Sequence, residues 1–167
     1  MPTYTAKTSG PGPFYVDLIV NPGAQSVPGN YTAVAWSLRA RSTGGSPTWS
    51  GDSQSWSVNI GGYTYSGSWV LDFRSTSLII VAGRTTNVVH NVDGTRVLTS
   101  SGTLTTNHSN FGSGTAGGTL TLDRIPRGPK VRYNGAWRDT IAFVKDGATW
   151  RQAVPYVKSG ASWKPAG

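Results

Sequence analysis

No ten-residue window of this chain carries apolar residues at helical spacing, and that absence limits its fold more than any single motif does. Short runs of Val, Ile, Thr, Tyr and Trp stand between clusters of Gly, Asn, Asp and Ser, the pattern of an all-β chain. The stretch 32–41, TAVAWSLRAR, shows it best. Val34, Trp36 and Leu38 lie on one face of the expected strand, and Ala33, Ala35, Ser37 and Arg39 on the other.

Further strands are expected at 14–20, 56–60, 63–71, 77–82, 85–90, 96–104 and 119–124. Gly61-Gly62 between two of them is a hairpin signal of the primed-turn kind, and the turn at 91–94 ends in Asp93-Gly94. The apolar run 77–82, SLIIVA, reads as a central strand. Segments 42–54 and 106–118, rich in Gly, Ser, Thr and Asn, read as long, mobile loops. Seven or eight short strands at this spacing describe a β-sandwich of immunoglobulin-like type over residues 1–125. Only 13% of residues are charged, but seven Trp, seven Tyr and four Phe supply the apolar area that a disordered chain lacks.

Residues 126–130, PRGPK, place two prolines and a glycine after the sandwich and read as a linker. From 131 to 167 one 13-residue line is written nearly three times: VRYNGAWRDTIAF, VKDGATWRQAVPY, VKSGASWKPAG. Val recurs at 131, 144 and 157, and Trp at 137, 150 and 163. A basic residue follows each Val (Arg132, Lys145, Lys158) and each Trp (Arg138, Arg151, Lys164). A small appendage of β-hairpins is expected. Two-residue turns at Asp146-Gly147 and Ser159-Gly160 set Phe143 opposite Trp150 and Tyr156 opposite Trp163. In the first repeat Gly sits one place later, and a turn at Asn134-Gly135 sets Arg132 opposite Trp137.

The net charge of +8 is concentrated in this repeat. Residues 126–167 hold eight basic against two acidic side chains, and residues 1–125 hold seven against five. Such a surplus attracts polyanions: nucleic acid, anionic envelope polymers or an acidic protein surface. Cys is absent, which removes disulfides and thiolate metal sites. The start, MPTYTAKTSGPGPFYV, shows no signal-peptide pattern, and the longest apolar run, 78–82, is too short to span a bilayer. A soluble protein made in a cytoplasm, without membrane insertion, is expected.

Two stretches carry a resemblance. TNVVHNVDGT at 86–95 and GTLTLDRIPR at 118–127 resemble an immunoglobulin-like domain of siphophage virion proteins, in which V-x-H-N-x-D-G-[ST] ends one strand and G-x-x-x-L-x-x-I-P-R closes a later one. AVAWSLRA at 33–40 is similar to that family's early central strand, and the V-[KR]-x(4)-W repeats are similar to the ends of minor tail proteins from phages of actinobacteria. Together these cover nearly the whole chain. The resemblance implies a non-enzymatic virion protein, first a minor tail or tail-tip component that touches the host surface or neighbouring virion subunits. A capsid decoration protein, holding the head shell through its basic repeat, is the alternative, and a carbohydrate-binding module the second. A homo-oligomer is expected in either virion role.

Two readings stand for the Trp row. Trp137, Trp150 and Trp163 form the core of the appendage, or they are exposed platforms for sugar rings of an anionic envelope glycan, with Arg132, Lys145, Lys158, Arg138, Arg151 and Lys164 as partners for its charges. Tyr156 and Trp49 join them as contact candidates, Trp49 because it stands in a Gly/Ser-rich loop. No specific nucleic-acid motif is present. His90 and His108 are the only histidines, and His90, at a strand end before Asn91 and Asp93, reads as a local turn ligand rather than a catalytic base. A Ca²⁺ site at 91–93 lacks a surrounding carboxylate cluster. Without Cys, Glu or a G-x-S-x-G elbow, no catalytic residue and no cofactor are assigned. The N-x-[ST] matches at Asn30 and Asn107 read as chance matches. Trp36 and Trp56 are expected in the sandwich core.

Overall fold

The computed structural model describes residues 1–44, 50–91, 94–125, 130–140, 142–153 and 155–165, with backbone alone at 50–52, 130, 137–139, 152 and 164–165. Every regular element among them is a strand. The first eight are β1 (Thr3–Lys7), β2 (Phe14–Ser26), β3 (Tyr31–Ser42), β4 (Ser50–Ile60), β5 (Tyr63–Asp72), β6 (Leu78–Val89), β7 (Arg96–Thr105) and β8 (Gly114–Leu122). They form two four-stranded sheets in the orders β1-β2-β3-β6 and β5-β4-β7-β8. The ladders β1–β2, β4–β5 and β4–β7 are antiparallel.

One core joins the two sheets. Val16, Leu18, Val34, Trp36 and Leu38 come from the first, and Val58, Ile60, Leu71, Leu98 and Leu104 from the second. Alternation puts them there: along β3 every second residue from Thr32 to Ser42 is buried, as the TAVAWSLRAR pattern requires. Trp36 is buried in this core, and its indole Nε1–H donates to Thr86 Oγ1 at 3.0 Å. The Tyr65 hydroxyl lies 2.9 Å from the same oxygen. Trp56 is half-buried and packs against the core from β4, with its ring 6.4 Å from that of Trp36.

Several of the expected elements differ, and β4 already begins at Ser50, inside the expected loop 42–54. The run 77–82 is not a central strand, because β6 lies at the edge of its sheet. Ile79 and Val81 pack against the core while Ile80 is 65% exposed. An apolar run reports propensity for extended backbone, not the number of neighbours a strand acquires. The two strands expected at 77–82 and 85–90 are one continuous strand, since Gly83 passes close to the Trp36 carbonyl, where a Cβ would sit 3.1 Å from the oxygen. The loop after β7 is shorter than expected and is anchored. Phe111 is fully buried, with its ring 4.9 Å from that of Phe14, and burying such a ring contributes about 2–3 kcal/mol. Thr106 Oγ1–H donates to the Gly112 carbonyl at 2.8 Å and closes the loop on itself. β1, in the Gly/Pro-rich lead, was not foreseen. It has no apolar run of its own and is held by pairing with β2, Thr5 facing Asp17.

The chain divides into two compact units. One comprises Met1–Ala24, Thr32–Val88 and Val97–Leu122, and the other Gln25–Tyr31, Val89–Arg96 and Asp123–Gly167. The second unit gathers the segments around Asn30, His90, Gly94 and Ile125, and hydrogen bonds tie them together. His90 N–H donates to the Asn30 carbonyl at 2.9 Å, and Asn30 Nδ2 returns a 2.8 Å bond to the His90 carbonyl. Ile125 N–H donates to the Gly94 carbonyl at 2.9 Å. Gly94 holds φ +82° with the Ile125 carbonyl where its Cβ would be, so glycine alone fits.

Candidate functional site

The C-terminal repeat folds as three separate two-stranded hairpins: β9 (Lys130–Tyr133) with β10 (Ala136–Asp139), β11 (Ala142–Asp146) with β12 (Thr149–Ala153), and β13 (Tyr156–Ser159) with β14 (Ser162–Pro165). Each turn has two residues, and the turns are of two kinds. Asn134 (φ 48°) and Gly135 (φ 79°) are both left-handed, a type I′ turn. In the other two hairpins only the first turn residue, Gly147 (φ 59°) or Gly160 (φ 62°), is left-handed, and the alanine after it is not, as in type II′.

This difference corrects the expected register. Glycine takes the second turn position in type I′ and the first in type II′, so its one-place displacement between repeats leaves the strands aligned. Trp137 pairs with Arg132, Trp150 with Lys145 and Trp163 with Lys158. The first pairing is as expected. The pairings of Phe143 with Trp150 and Tyr156 with Trp163 are not formed: Phe143 faces Gln152 and Tyr156 faces Pro165. In all three hairpins the cation after Val stands across from Trp, and the cation after Trp stands across from Val.

Ladder geometry then sets the faces. Residues directly opposite share a face, so Trp150 and Lys145 project together, as do Trp163 and Lys158. A two-residue turn closes on a hydrogen-bonded pair, which makes the next pair outward non-hydrogen-bonded, the kind with the closer side chains. The opposite face of the second hairpin carries Val144 with Arg151, whose Nε lies 3.1 Å from Asp146 Oδ2. Both of these ionised groups are well exposed, so the pair contributes little to stability.

Trp150 is 65% exposed and Trp163 66%, against 3% for Trp36 in the sandwich core. The aromatic row is thus not a buried core at these two positions. Arg132, Lys145, Lys158, Arg151 and Tyr156 are exposed as well. Trp49 lies outside the described residues, as do the side chains of Trp137, Arg138 and Lys164, whose ladder positions alone are placed. The sequence reading passed over Tyr133, which is 60% exposed, and took Phe143, 53% exposed, for a pairing partner of Trp150 rather than a contact residue. Phe143 lies on the Trp150 face, two residues along the ladder, a place that period-two counting from the correct turn would have found.

The second site considered, around His90, is a turn. His90 is buried, and its Nδ1 lies 2.8 Å from the Gly94 carbonyl, which occupies that nitrogen with the loop it closes. Asp93 lies outside the described residues. Among those described, no group of three His, Asp or Glu is placed to hold a metal ion. Comparison with protein-family models, with curated proteins and with solved structures found no match.

Proposed function

We propose that this chain is a non-enzymatic structural protein of a bacteriophage particle, a minor tail or tail-tip component. In it the sandwich is the mount, and the hairpin repeat touches the host surface or a neighbouring virion subunit. The observation that carries this reading is the repeated exposure of a Trp with a cation directly across its ladder, Trp150 with Lys145 and Trp163 with Lys158. A chain of this size does not hold two such rings 65% and 66% in water without a use for them, since each forgoes roughly 2–3 kcal/mol of burial.

The strand order supports the immunoglobulin-like part of the reading. β5-β4-β7-β8 follows the C′-C-F-G order, β2, β3 and β6 take the A, B and E places, and β1 adds an outer strand. The likeness of the VHNVDGT and IPR motifs to siphophage virion domains supports the particle. Both motifs meet in one hydrogen-bonded turn, through Gly94 and Ile125. Immunogold labelling of intact particles with antibody against residues 131–167 tests the proposal. Gold at the tail end is the expected result. Gold distributed over the head turns the repeat into a clamp for a capsid decoration protein.

A further inference from the structure

We infer that each hairpin is one station of a multivalent site for an anionic polysaccharide. A sugar ring stacks on the Trp, and the cation across the ladder takes the phosphate or carboxylate of the same repeat unit. The inference rests on the reading of the repeat as a contact surface and names the chemistry of what it contacts.

The faces themselves narrow the occupant. A second copy of this chain fits poorly, because residues 126–167 carry eight basic against two acidic residues, and each face of the second hairpin bears its own cation, Lys145 or Arg151. Two such faces would meet with like charges opposed. A purely apolar partner on the Trp150 face would leave Lys145 buried without an anion. The surface therefore calls for a polyanion that also offers apolar ring faces, and charge complementarity selects it.

Sugar polymers and single-stranded nucleic acids both meet that description, and the spacing separates them. A single-strand channel is a continuous groove in which successive bases stack while cations track every phosphate. Here the Trp–cation pairs recur once per 13-residue repeat, on three two-stranded sheets that share no ladder among the described residues. Discrete stations of one ring platform and one cation suit a polymer whose rings and charges come in separated repeat units. The ladders at Trp150–Lys145 and Trp163–Lys158 fix ring and cation on one face before any ligand arrives. One station of this size is a weak site. Three on one chain gain about 10²–10⁴ in avidity when the polymer reaches all of them.

The test is titration of the full chain with polygalacturonic acid, using dextran as the uncharged polymer, polyphosphate as charge without rings, and an oligo-dT strand as the nucleic acid. Polygalacturonate is expected to bind, with apparent Kd raised at least tenfold by Trp150→Ala and binding lost in the variant with Trp137, Trp150 and Trp163 all changed to Ala. Lys145→Gln with Lys158→Gln leaves the rings in place, so its loss of affinity reports the charge without dependence on the Trp side chains. Dextran is expected not to bind, and polyphosphate to bind equally weakly to native chain and Trp variants. Three results overturn the inference: no polygalacturonate binding, binding indifferent to the Trp and Lys substitutions, or tighter Trp-dependent binding of oligo-dT. If polygalacturonate fails while antibody against 131–167 still labels the tail end, the polysaccharide is wrong and the contact surface stands. If the repeat is inaccessible on intact particles, both readings fall.

Discussion

Asp17 on β2 accepts both Arg41 Nε at 2.8 Å and Arg41 Nη2 at 3.2 Å, a two-pronged ion pair on the outer face of the first sheet. Thr5 Oγ1–H reaches the same carboxylate from β1 at 2.7 Å, and the Arg41 guanidinium lies 4.8 Å from the centre of the Tyr15 ring. The group binds an edge strand with no hydrophobic run of its own to its two inner neighbours. Burial pushes the Asp17 carboxyl up, but the hydrogen bonds from Arg41 and Thr5 and the nearby positive charge more than offset it, and its pKa lies below the ordinary 3.8.

The sign of the pH dependence follows. Because the folded pKa is the lower one, the unfolded chain binds the proton more readily. The stabilisation is therefore complete above pH 3.8 and is lost as pH falls through the folded value. Asp17→Asn is expected to cost about 1–2 kcal/mol at pH 7, the lower part of the range for charge-assisted bonds because Arg41 is a third exposed. It should also flatten the acid limb of the stability curve below pH 4. Asp72 makes the contrast. Arg74 holds it at about 2 by side-chain and backbone hydrogen bonds, but the pair is local and solvated, and Asp72→Asn should leave the denaturation midpoint nearly unchanged. Urea titrations between pH 2 and 7 check both.

Gly94→Ala should be among the most damaging single-methyl additions in the chain. Its φ of +82° is unfavourable for any L side chain, and the added Cβ would collide with the Ile125 carbonyl oxygen. A loss of about 2–4 kcal/mol is expected. Gly62→Ala has a similar φ, +101°, but open space around it, and should cost about 1 kcal/mol. Thermal unfolding of the two variants separates strain from collision.

Thr86→Val should show what the shared hydroxyl is worth. It removes the acceptor 3.0 Å from the Trp36 indole and the partner 2.9 Å from the Tyr65 hydroxyl, with almost no change of shape. Because the Trp36 N–H is then left buried and unpaired, about 1–3 kcal/mol should be lost, and Thr86→Ser should recover most of it. Chemical denaturation followed by Trp fluorescence gives the numbers.

What could be read beforehand divides along physical lines. Alternation through Val34, Trp36 and Leu38 identified the core face of β3, because period two has only one competing register and that register buries Arg39. The hairpins were legible as hairpins from Gly and Trp spacing. Their register was not, because glycine serves the first place of a II′ turn and the second of an I′ turn, and the sequence around Gly147 does not say which applies. The edge position of β6 was hidden for another reason. Leu78 and Ile80 have strand propensity wherever they lie, and which strand pairs with β3 depends on topology. Asp17, the organiser of an outer face, gave no signal because its partners come from residues 12 and 24 places away.

The hairpin register makes the sharpest prediction of all, because two turns one residue apart put different residues opposite Trp150. With Gly147-Ala148 as the turn, Lys145 and Trp150 form a non-hydrogen-bonded pair, whose α-carbons are closest and whose α-protons meet across the ladder. With a turn at Asp146-Gly147, Phe143 would stand opposite Trp150 as a hydrogen-bonded pair, and the non-hydrogen-bonded pair beside it would be Val144 with Thr149. A cross-strand α-proton contact between Lys145 and Trp150 in the NMR spectrum is the expected result, and one between Val144 and Thr149 would restore the register that pairs Phe143 with Trp150. Replacing Gly147-Ala148 by Asn-Gly, the turn of the first hairpin, should keep the Lys145 contact, since types I′ and II′ hold the same pairs. Gly147→Val should weaken it, because a β-branched residue resists the φ of 59°. If Asn-Gly moves the contact to Val144 and Thr149, the two turn types are not interchangeable here, and the common placing of Trp and cation across the ladders fails with them.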